Sequence, residues 1–265
     1  MSAPTPVADL SGRCALVVGA SRGIGASAAT ALAARGARVA VSARTAASLH
    51  GVADQVRATG AEAHVVAADV TDPDSAQRVL DEVTEGLGPV DVLVYATGQS
   101  AVGRFEDLSD DDWRRLYEVN VLGAVRLARA VLPHMRDQGW GRVINVASTA
   151  AKYGSKLQSP YNATKHALLG LTRCLALETA GTGITVNAVC PGFVDTEMVQ
   201  QAVPLWATQL GVPESAVIPG LLSRVPLGRL LQPDEVAQLI GYLASPAAGG
   251  MTGQGLTLDG GLILV

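Results

Sequence analysis

The sequence lacks the features that mark secreted, membrane and nucleic-acid-binding proteins. Its three cysteines, Cys14, Cys174 and Cys190, are far apart and odd in number, which argues against a disulfide framework and favours a reducing, cytoplasmic setting. No apolar run approaches the ~20 residues that cross a bilayer, and residues 1–11 predict a loose arm without a secretion signal. The net charge is −4 and basic residues form no run, so we expect neither nucleic-acid nor membrane partners.

Charged residues and groups of potential metal ligands are scarce as well. Charged residues make up 17% and hydrophobic residues 48% of the 265 residues, a balance typical of a globular chain with a large core. The four histidines stand at no spacing that groups them with cysteines or carboxylates, so the sequence predicts no metal site. No shift in composition divides the chain, and we therefore expect a single domain over 1–265.

Apolar runs typical of buried strands alternate with runs of helical periodicity along the chain. The strand-like runs are CALVVG, ARVAVSA, AHVVAADV, VDVLVYATG, GRVINVAS, ITVNAVCPG and GLTLDGG. The segments between them include a long helix predicted over 111–136 and a looser stretch over 193–229 with four prolines. This alternation predicts a Rossmann fold, a doubly wound parallel sheet of seven strands flanked by helices.

A glycine-rich turn, GASRGIG, joins the first strand-like run to the helix after it. Glycines there let the backbone turn tightly and approach a pyrophosphate, while the helix N-terminus offers free N–H groups. The turn lacks the Lys-Ser/Thr pair of a P-loop, and its place after the first strand of a βαβ unit favours a dinucleotide site. The predicted cofactor-binding residues of the turn are Gly19, Ser21, Arg22, Gly23, Ile24 and Gly25.

The end of the second strand-like run indicates which dinucleotide binds. An NAD site usually places a carboxylate there, on the ribose 2′-hydroxyl, and the segment VAVSARTAAS has none. Arg22 in the glycine turn and Arg44 beyond the strand are placed to grip a 2′-phosphate, because guanidinium groups bind phosphate in bidentate pairs. The sequence therefore predicts NADP(H) as the cofactor; the alternative interpretation is two solvated surface arginines.

A serine, a tyrosine and a lysine are spaced so that a sheet edge and one helix face could bring them together. Tyr161 and Lys165 stand four residues apart in a run of helical periodicity, so they share a helix face. A neighbouring ammonium favours the phenolate and moves the pKa of the phenol down from about 10. Ser148 closes the fifth strand-like run, at the edge where open α/β sheets bind ligands. Taken alone, the Tyr-Lys pair has an alternative interpretation as a solvated helix face.

Four motifs stand in an order that resembles the short-chain dehydrogenase/reductase family, over about 12–261. They are the glycine turn, the serine, the Tyr-x-x-x-Lys pair and the Pro-Gly after the sixth strand-like run. The resemblance implies that Tyr161 is the catalytic acid/base and that Ser148 hydrogen-bonds the substrate oxygen. It further implies that Lys165 lowers the tyrosine pKa and holds the nicotinamide ribose, and that Asn120 anchors a water in the proton relay. The other cofactor contacts implied are Asp69, Val70, Ala96, Gly98, Pro191, Gly192, Val194 and Thr196.

One segment departs from the family pattern. After the fourth strand the family usually reads Asn-Asn-Ala-Gly, whereas this chain reads Tyr95-Ala96-Thr97-Gly98. Gly98 is kept, so the backbone can still lie near the cofactor. The missing asparagines would tie neighbouring strands together, which predicts a less stable central sheet and leaves Tyr95 and Thr97 without an assigned role.

The C-terminal half resembles 3-oxoacyl-[acyl carrier protein] reductases and, more closely, the ketoreductases of bacterial aromatic polyketide assembly. This implies hydride transfer from NADPH to the ketone of a small molecule or acyl thioester. A substrate lid is predicted over 196–225, where Trp206, Leu210 and Leu222 either cover an apolar acyl group or serve helix packing. Candidate basic residues for docking a carrier protein are Arg115, Arg126 and Arg129.

Two other functions fit the same motifs. One is an alcohol dehydrogenase that oxidises a hydroxy acid, sugar or alicyclic alcohol, against which Arg22 and Arg44 weigh because NADP pools usually favour reduction. The other is a non-catalytic relative that senses nucleotide, against which the intact catalytic set weighs. The family resemblance also implies a homotetramer that buries the apolar C-terminal tail and two long helices.

Overall fold

One parallel sheet forms the centre of the computed structural model, which describes residues 9–264. Its strands are β1 (Cys14–Val18), β2 (Arg38–Ala43), β3 (Ala63–Ala67), β4 (Val92–Tyr95), β5 (Gly141–Val146), β6 (Ile184–Pro191) and β7 (Gly255–Leu258). They lie in the order β3-β2-β1-β4-β5-β6-β7, with every pairing parallel. The predicted seven-stranded, doubly wound sheet is confirmed. Because the winding reverses between β1 and β4, the loops after these strands diverge and leave a crevice.

Helices cover both faces of the sheet. They are α1 (Gly23–Ala33), α2 (His50–Ala58), α3 (Ser75–Leu87), α4 (Asp110–Tyr117), α5 (Gly123–Gln138), α6 (Ser159–Glu178), α7 (Glu197–Leu210), α8 (Glu214–Leu222) and α9 (Pro233–Ala244). Alternate residues of β1 point to opposite faces, so Leu16 packs into the core under α3, α5 and α6, and Val17 into the core under α1, α2 and α9. Among residues 9–264, no helix combines the length and apolarity that a membrane crossing requires.

The helix predicted as continuous over 111–136 contains a π-helical turn. Ser109 caps α4 in a capping box with Asp112, and the five residues Glu118–Leu122 then form the π turn before α5 begins. The π turn holds Asn120, one of the predicted catalytic residues. Helical periodicity does not reveal one extra residue in a turn, so the sequence predicted a single unbroken helix.

The prediction of a looser stretch over 193–229 is wrong, because it contains α7 and α8. Pro204 and Pro219 lie inside these helices, where each removes a backbone donor. Val203 and Ala207 of α7 pack against Val217 of α8 in a small separate core. Burial of this shared apolar face offsets the backbone hydrogen bonds that the prolines remove. The number of prolines in the sequence predicts loops and gives no sign of this packing.

The N-terminal arm predicted over 1–11 lies mostly outside the described residues. Within them, Leu10 is fully buried and Asp9 forms an ion pair with Arg35, 3.1 Å between oxygen and nitrogen. The described end of this segment is therefore docked on the fold.

Candidate active site

A cavity of about 1070 Å³ opens in the crevice at the carboxyl edge of the sheet. All residues predicted to bind the cofactor line it, as do Ser148, Tyr161 and Lys165. Asn120 is fully buried behind the wall. The structure thus brings together, in one place, residues that the sequence separates by more than a hundred positions.

The glycine turn after β1 has the shape that an NADP(H) pyrophosphate requires. Gly19 has a φ of +84°, and a Cβ built on it would lie 2.7 Å from the backbone nitrogen and Oγ1 of Thr97. A Cβ on Gly25 would lie 2.1 Å from the Gly19 carbonyl oxygen. No side chain fits at either position, so only backbone atoms of the turn face the cavity there. The N-terminus of α1 is therefore accessible to a phosphate. Thr97 acquires a role here, as the loop residue on which the turn packs.

The two predicted phosphate-binding arginines line the cavity at its β1–β2 end. Arg44 is exposed just after β2. Arg22 forms an ion pair with Glu197, the first residue of α7. This pair joins the glycine turn to α7, which lies in the predicted lid. Sequence reasoning missed Glu197, and no local pattern links it to a residue so distant in the chain. The basic pair and the bare turn fit a dinucleotide that carries a 2′-phosphate.

Arg44→Asp is expected to reverse the cofactor preference. A carboxylate at this position would repel a 2′-phosphate and accept a hydrogen bond from a ribose 2′-hydroxyl. Loss of one charge-assisted contact of about 1.5–3 kcal/mol corresponds to a KM for NADPH raised about ten- to hundredfold, with a lower KM for NADH. Initial rates with each cofactor measure both values. Arg57→Asp on α2, away from the cavity, is the matched control; an unchanged preference in Arg44→Asp would contradict the assignment.

Ser148 and Tyr161 meet where β5 ends and α6 begins. The Ser148 Oγ accepts a hydrogen bond from the backbone N–H of Ala150, 3.1 Å away, which orients the hydroxyl. Burial raises the pKa of Tyr161, and a hydrogen bond with the Ser148 side chain lowers it by a smaller amount. The net direction is upward, so the phenol keeps its proton at neutral pH.

Lys165 lies one helical turn after Tyr161, and its side chain is buried. Its Nζ donates to the Val146 carbonyl oxygen at 2.9 Å and lies 5.7 Å from the centre of the Tyr161 ring. Burial lowers the pKa of Lys165 to about 8. The sequence predicted a lowered pKa for Tyr161, whereas burial of the phenol raises it.

Asn120 is fixed by the loop that follows β4. Its Nδ2 donates to the Gln99 carbonyl oxygen and to Thr164 Oγ1, both at 2.9 Å, and its Oδ1 accepts from the Gln99 N–H at 2.8 Å. A Cβ built on Gly98 would lie 3.4 Å from Lys165 Nζ and 3.6 Å from Asn120 Oδ1. Asparagine and lysine therefore flank the same bare stretch of backbone beside the cavity.

The substrate end of the cavity is largely apolar. Its wall includes Tyr153, Leu157, Met198, Leu205, Trp206, Leu210 and Leu221. Two predicted lid residues, Trp206 and Leu210, are in this wall, whereas Leu222 is not and the adjacent Leu221 takes its place. Leu157 has a φ of +65°, and its carbonyl oxygen accepts from the N–H of Gly103, which joins two loops over the cavity.

The basic residues near the substrate end are only partly those expected. Arg115 lines the cavity, together with Lys156 and Arg224. The predicted Arg126 instead pairs with Glu118 and donates to the Val70 carbonyl oxygen at 3.0 Å, and Arg129 does not line the cavity. Because helix periodicity does not say which face meets the cavity, the sequence selected two arginines on other faces.

Comparisons with known proteins agree with this geometry. A family model described as short chain dehydrogenase matches residues 13–204. A protein named as a candidate ketoacyl reductase of the monensin polyketide synthase of Streptomyces virginiae is 43% identical over 252 residues, covering 94% of this chain and 97% of its own length. The 3-oxoacyl-[acyl-carrier-protein] reductase of Pseudomonas aeruginosa is 36% identical over 256 residues, covering 97% of this chain and 99% of its own.

Solved structures lead in the same direction. A tryptophan variant of actinorhodin polyketide ketoreductase, crystallised with NADPH, superposes with a TM-score of 0.91 at 39% identity. The match covers 94% of this chain and 97% of that one.

Proposed function

The chain belongs to the short-chain dehydrogenase family, and we propose that it is an NADPH-dependent ketoreductase that acts on a β-ketoacyl or polyketide-type ketone. The observation that carries this proposal is that one cavity holds both ends of the site. It combines a bare glycine turn and two arginines at one end with the Ser148–Tyr161 pair and an apolar wall at the other. The related ketoreductases and the NADPH-bound neighbour support the same function.

In this mechanism each side chain has a defined task. The glycine turn and Arg44 would hold NADPH, and the chemistry that this cofactor would supply is a hydride for the carbonyl carbon of the ketone. Tyr161 donates its phenolic proton to the carbonyl oxygen, which balances the charge, and the Ser148 hydroxyl holds that oxygen by a hydrogen bond. The Lys165 cation stabilises the phenolate that remains, and Asn120 supports the path by which the phenol regains a proton.

The pKa of Tyr161 suits a proton donor. Such a donor must be protonated at the working pH, and burial raises the pKa of this phenol, so the acid form prevails. The alcohol dehydrogenase alternative is the weaker one, because the related proteins are ketoreductases and two arginines line the cofactor end of the cavity.

The ketone is proposed to carry an apolar acyl chain, free or as a thioester. Trp206 and Leu210 of the lid offer an apolar surface to such a chain. Arg115, Lys156 and Arg224 add positive charge around the same cavity, which suits the phosphate that acyl carriers bear.

A substrate panel tests the proposal. Loss of reduced cofactor is monitored with β-keto thioesters, quinones and cyclic ketones, each with NADPH and NADH. Turnover of β-keto thioesters with a strong preference for NADPH is the expected result. Cofactor binding without turnover of any ketone would favour the nucleotide-sensing relative instead.

A cytoplasmic homotetramer is proposed as the working form. Its support is the exposed apolar surface on the long helices, where Leu177 is 80% and Tyr117 and Leu122 are each 37% exposed, and on the tail, where Leu264 is 88% exposed. The described cysteines are all free, which suits a reducing compartment. Light scattering at micromolar concentration is expected to give the mass of four chains; a monomer would contradict this.

A further inference from the structure

Tyr95, the last residue of β4, belongs to the segment that departs from the family pattern. Its side chain is fully buried and does not line the cavity. The hydroxyl donates a hydrogen bond to the carbonyl oxygen of Val119. Val119 lies in the π-helical turn and directly precedes Asn120. The strand that ends beside the cofactor crevice is thus bonded to the turn that carries the predicted relay residue.

The carbonyl that Tyr95 binds lies inside the π turn, where the helical hydrogen-bond repeat changes. The N–H of Gly123 bonds to the Glu118 carbonyl, five residues back, and α5 begins at Gly123. Such a change of repeat disturbs the regular pairing of backbone groups. A buried carbonyl without a donor is strongly disfavoured, and the Tyr95 hydroxyl donates to the Val119 carbonyl.

The surrounding residues are shaped for this contact. A Cβ built on Gly123 would lie 2.3 Å from the Tyr95 hydroxyl oxygen and 2.9 Å from Val70 Cβ. Only glycine at this position leaves room for the phenol. Burial also raises the pKa of Tyr95, so the hydroxyl keeps the proton that it donates. An asparagine, the family's usual residue at this position, has a shorter side chain.

We propose that Tyr95 is a positioning residue, whose bond to the Val119 carbonyl fixes the π-helical turn and thereby places Asn120 against Gln99, beside the Gly98 backbone that Lys165 also flanks. The proposal rests on the proposed function, because it assigns Asn120 to the proton path of a ketone reductase. Hydrogen bonds then hold this region at two places. Tyr95 binds the turn just before Asn120, and Asn120 binds the Gln99 backbone just after β4.

Tyr95→Phe tests the hydrogen bond from the Tyr95 hydroxyl to the Val119 carbonyl, which we call the tether, because it removes the hydroxyl and keeps the ring. We expect kcat for ketone reduction to fall about tenfold, since small displacements of catalytic groups have effects of this size or larger. The KM for the ketone and the Kd for NADPH stay within about twofold, and the solvent deuterium isotope effect on kcat rises as proton delivery becomes limiting. A residue with a purely structural role would lower Tm but leave kcat and the isotope effect unchanged, which would overturn the proposal.

A double-mutant cycle with Asn120→Ala shows whether Tyr95 acts through Asn120. If it does, Tyr95→Phe has little further effect on kcat in the Asn120→Ala background. Full additivity of the two losses would count against the proposal. Tyr242→Phe on α9, a tyrosine that is 40% exposed, is the matched control and leaves kcat unchanged.

Hydrogen exchange separates failure of the tether from failure of the proposed function. If the native protein reduces no ketone, the function is wrong, and the tether is then judged by exchange alone. Tyr95→Phe is expected to speed amide exchange in residues 118–124 relative to the native protein, with α9 unchanged. Equal exchange in 118–124 would overturn the tether whatever the activity.

Discussion

Replacing Tyr161 with phenylalanine is expected to lower kcat for ketone reduction by about 10²- to 10⁴-fold, the contribution of a positioned general acid. The phenol hydrogen-bonds with Ser148 and lines the cavity beside the glycine-turn cofactor site. Phenylalanine keeps the ring and removes only the proton donor. The Kd for NADPH, measured by fluorescence titration, should therefore change little.

Tyr153→Phe provides the matched control for this substitution. Tyr153 lines the same cavity, but the proposed mechanism gives its hydroxyl no task. We expect Tyr153→Phe to retain most of the native kcat. Comparable losses in both variants, or a Tyr161→Phe enzyme with near-native kcat, would contradict the assignment of the proton donor.

Lys165→Met is expected to abolish most activity while making the fold more stable. Methionine fills a similar volume without a charge, so the phenolate formed on proton donation loses its balancing cation. A lysine pKa lowered from 10.5 to about 8 corresponds to about 3 kcal/mol against the buried cation. The lost bond to the Val146 carbonyl offsets part of this. A net rise of about 1–2 kcal/mol in the free energy of unfolding is the expected result, read from urea denaturation.

The pH dependence of this gain has a definite sign. Below the folded pKa of about 8 both folded and unfolded chains hold the lysine proton, so the native fold bears the full desolvation penalty. Between about 8 and 10.5 the folded chain loses its proton while the unfolded chain keeps it, and the penalty fades. The advantage of Lys165→Met is thus full at neutral pH and shrinks as pH rises. A variant less stable than the native protein at pH 7 would contradict the account.

The sheet and the cofactor end could be predicted because their physical causes are local. Buried strands need continuous apolar runs, and the glycine turn needs residues without a Cβ at Gly19 and Gly25. In a parallel sheet, the end of β5 and the start of the helix that follows it lie at the same edge. The positions of Ser148, Tyr161 and Lys165 along the chain therefore predict that they lie close together.

The remaining features depend on contacts that no sequence window contains. The π turn at Asn120 is stabilised by Tyr95, 24 positions from its bonded partner, and the Arg22–Glu197 pair spans 175 positions. Burial raises the pKa of Tyr161, whereas its spacing from Lys165 predicted a lowered pKa. The missing asparagines predict a weaker central sheet, and no local pattern shows that Tyr95 forms a buried hydrogen bond at this place.

The pH dependence of hydride transfer tests the central claim most directly. Single turnovers with NADPH and a β-keto thioester give the rate constant for oxidation of NADPH at each pH. A protonated Tyr161 donor assisted by the Lys165 cation predicts a constant rate at neutral pH that falls as pH rises through about 8, where Lys165 loses its charge. A rate that stays level through this range, or that increases with pH, would contradict it.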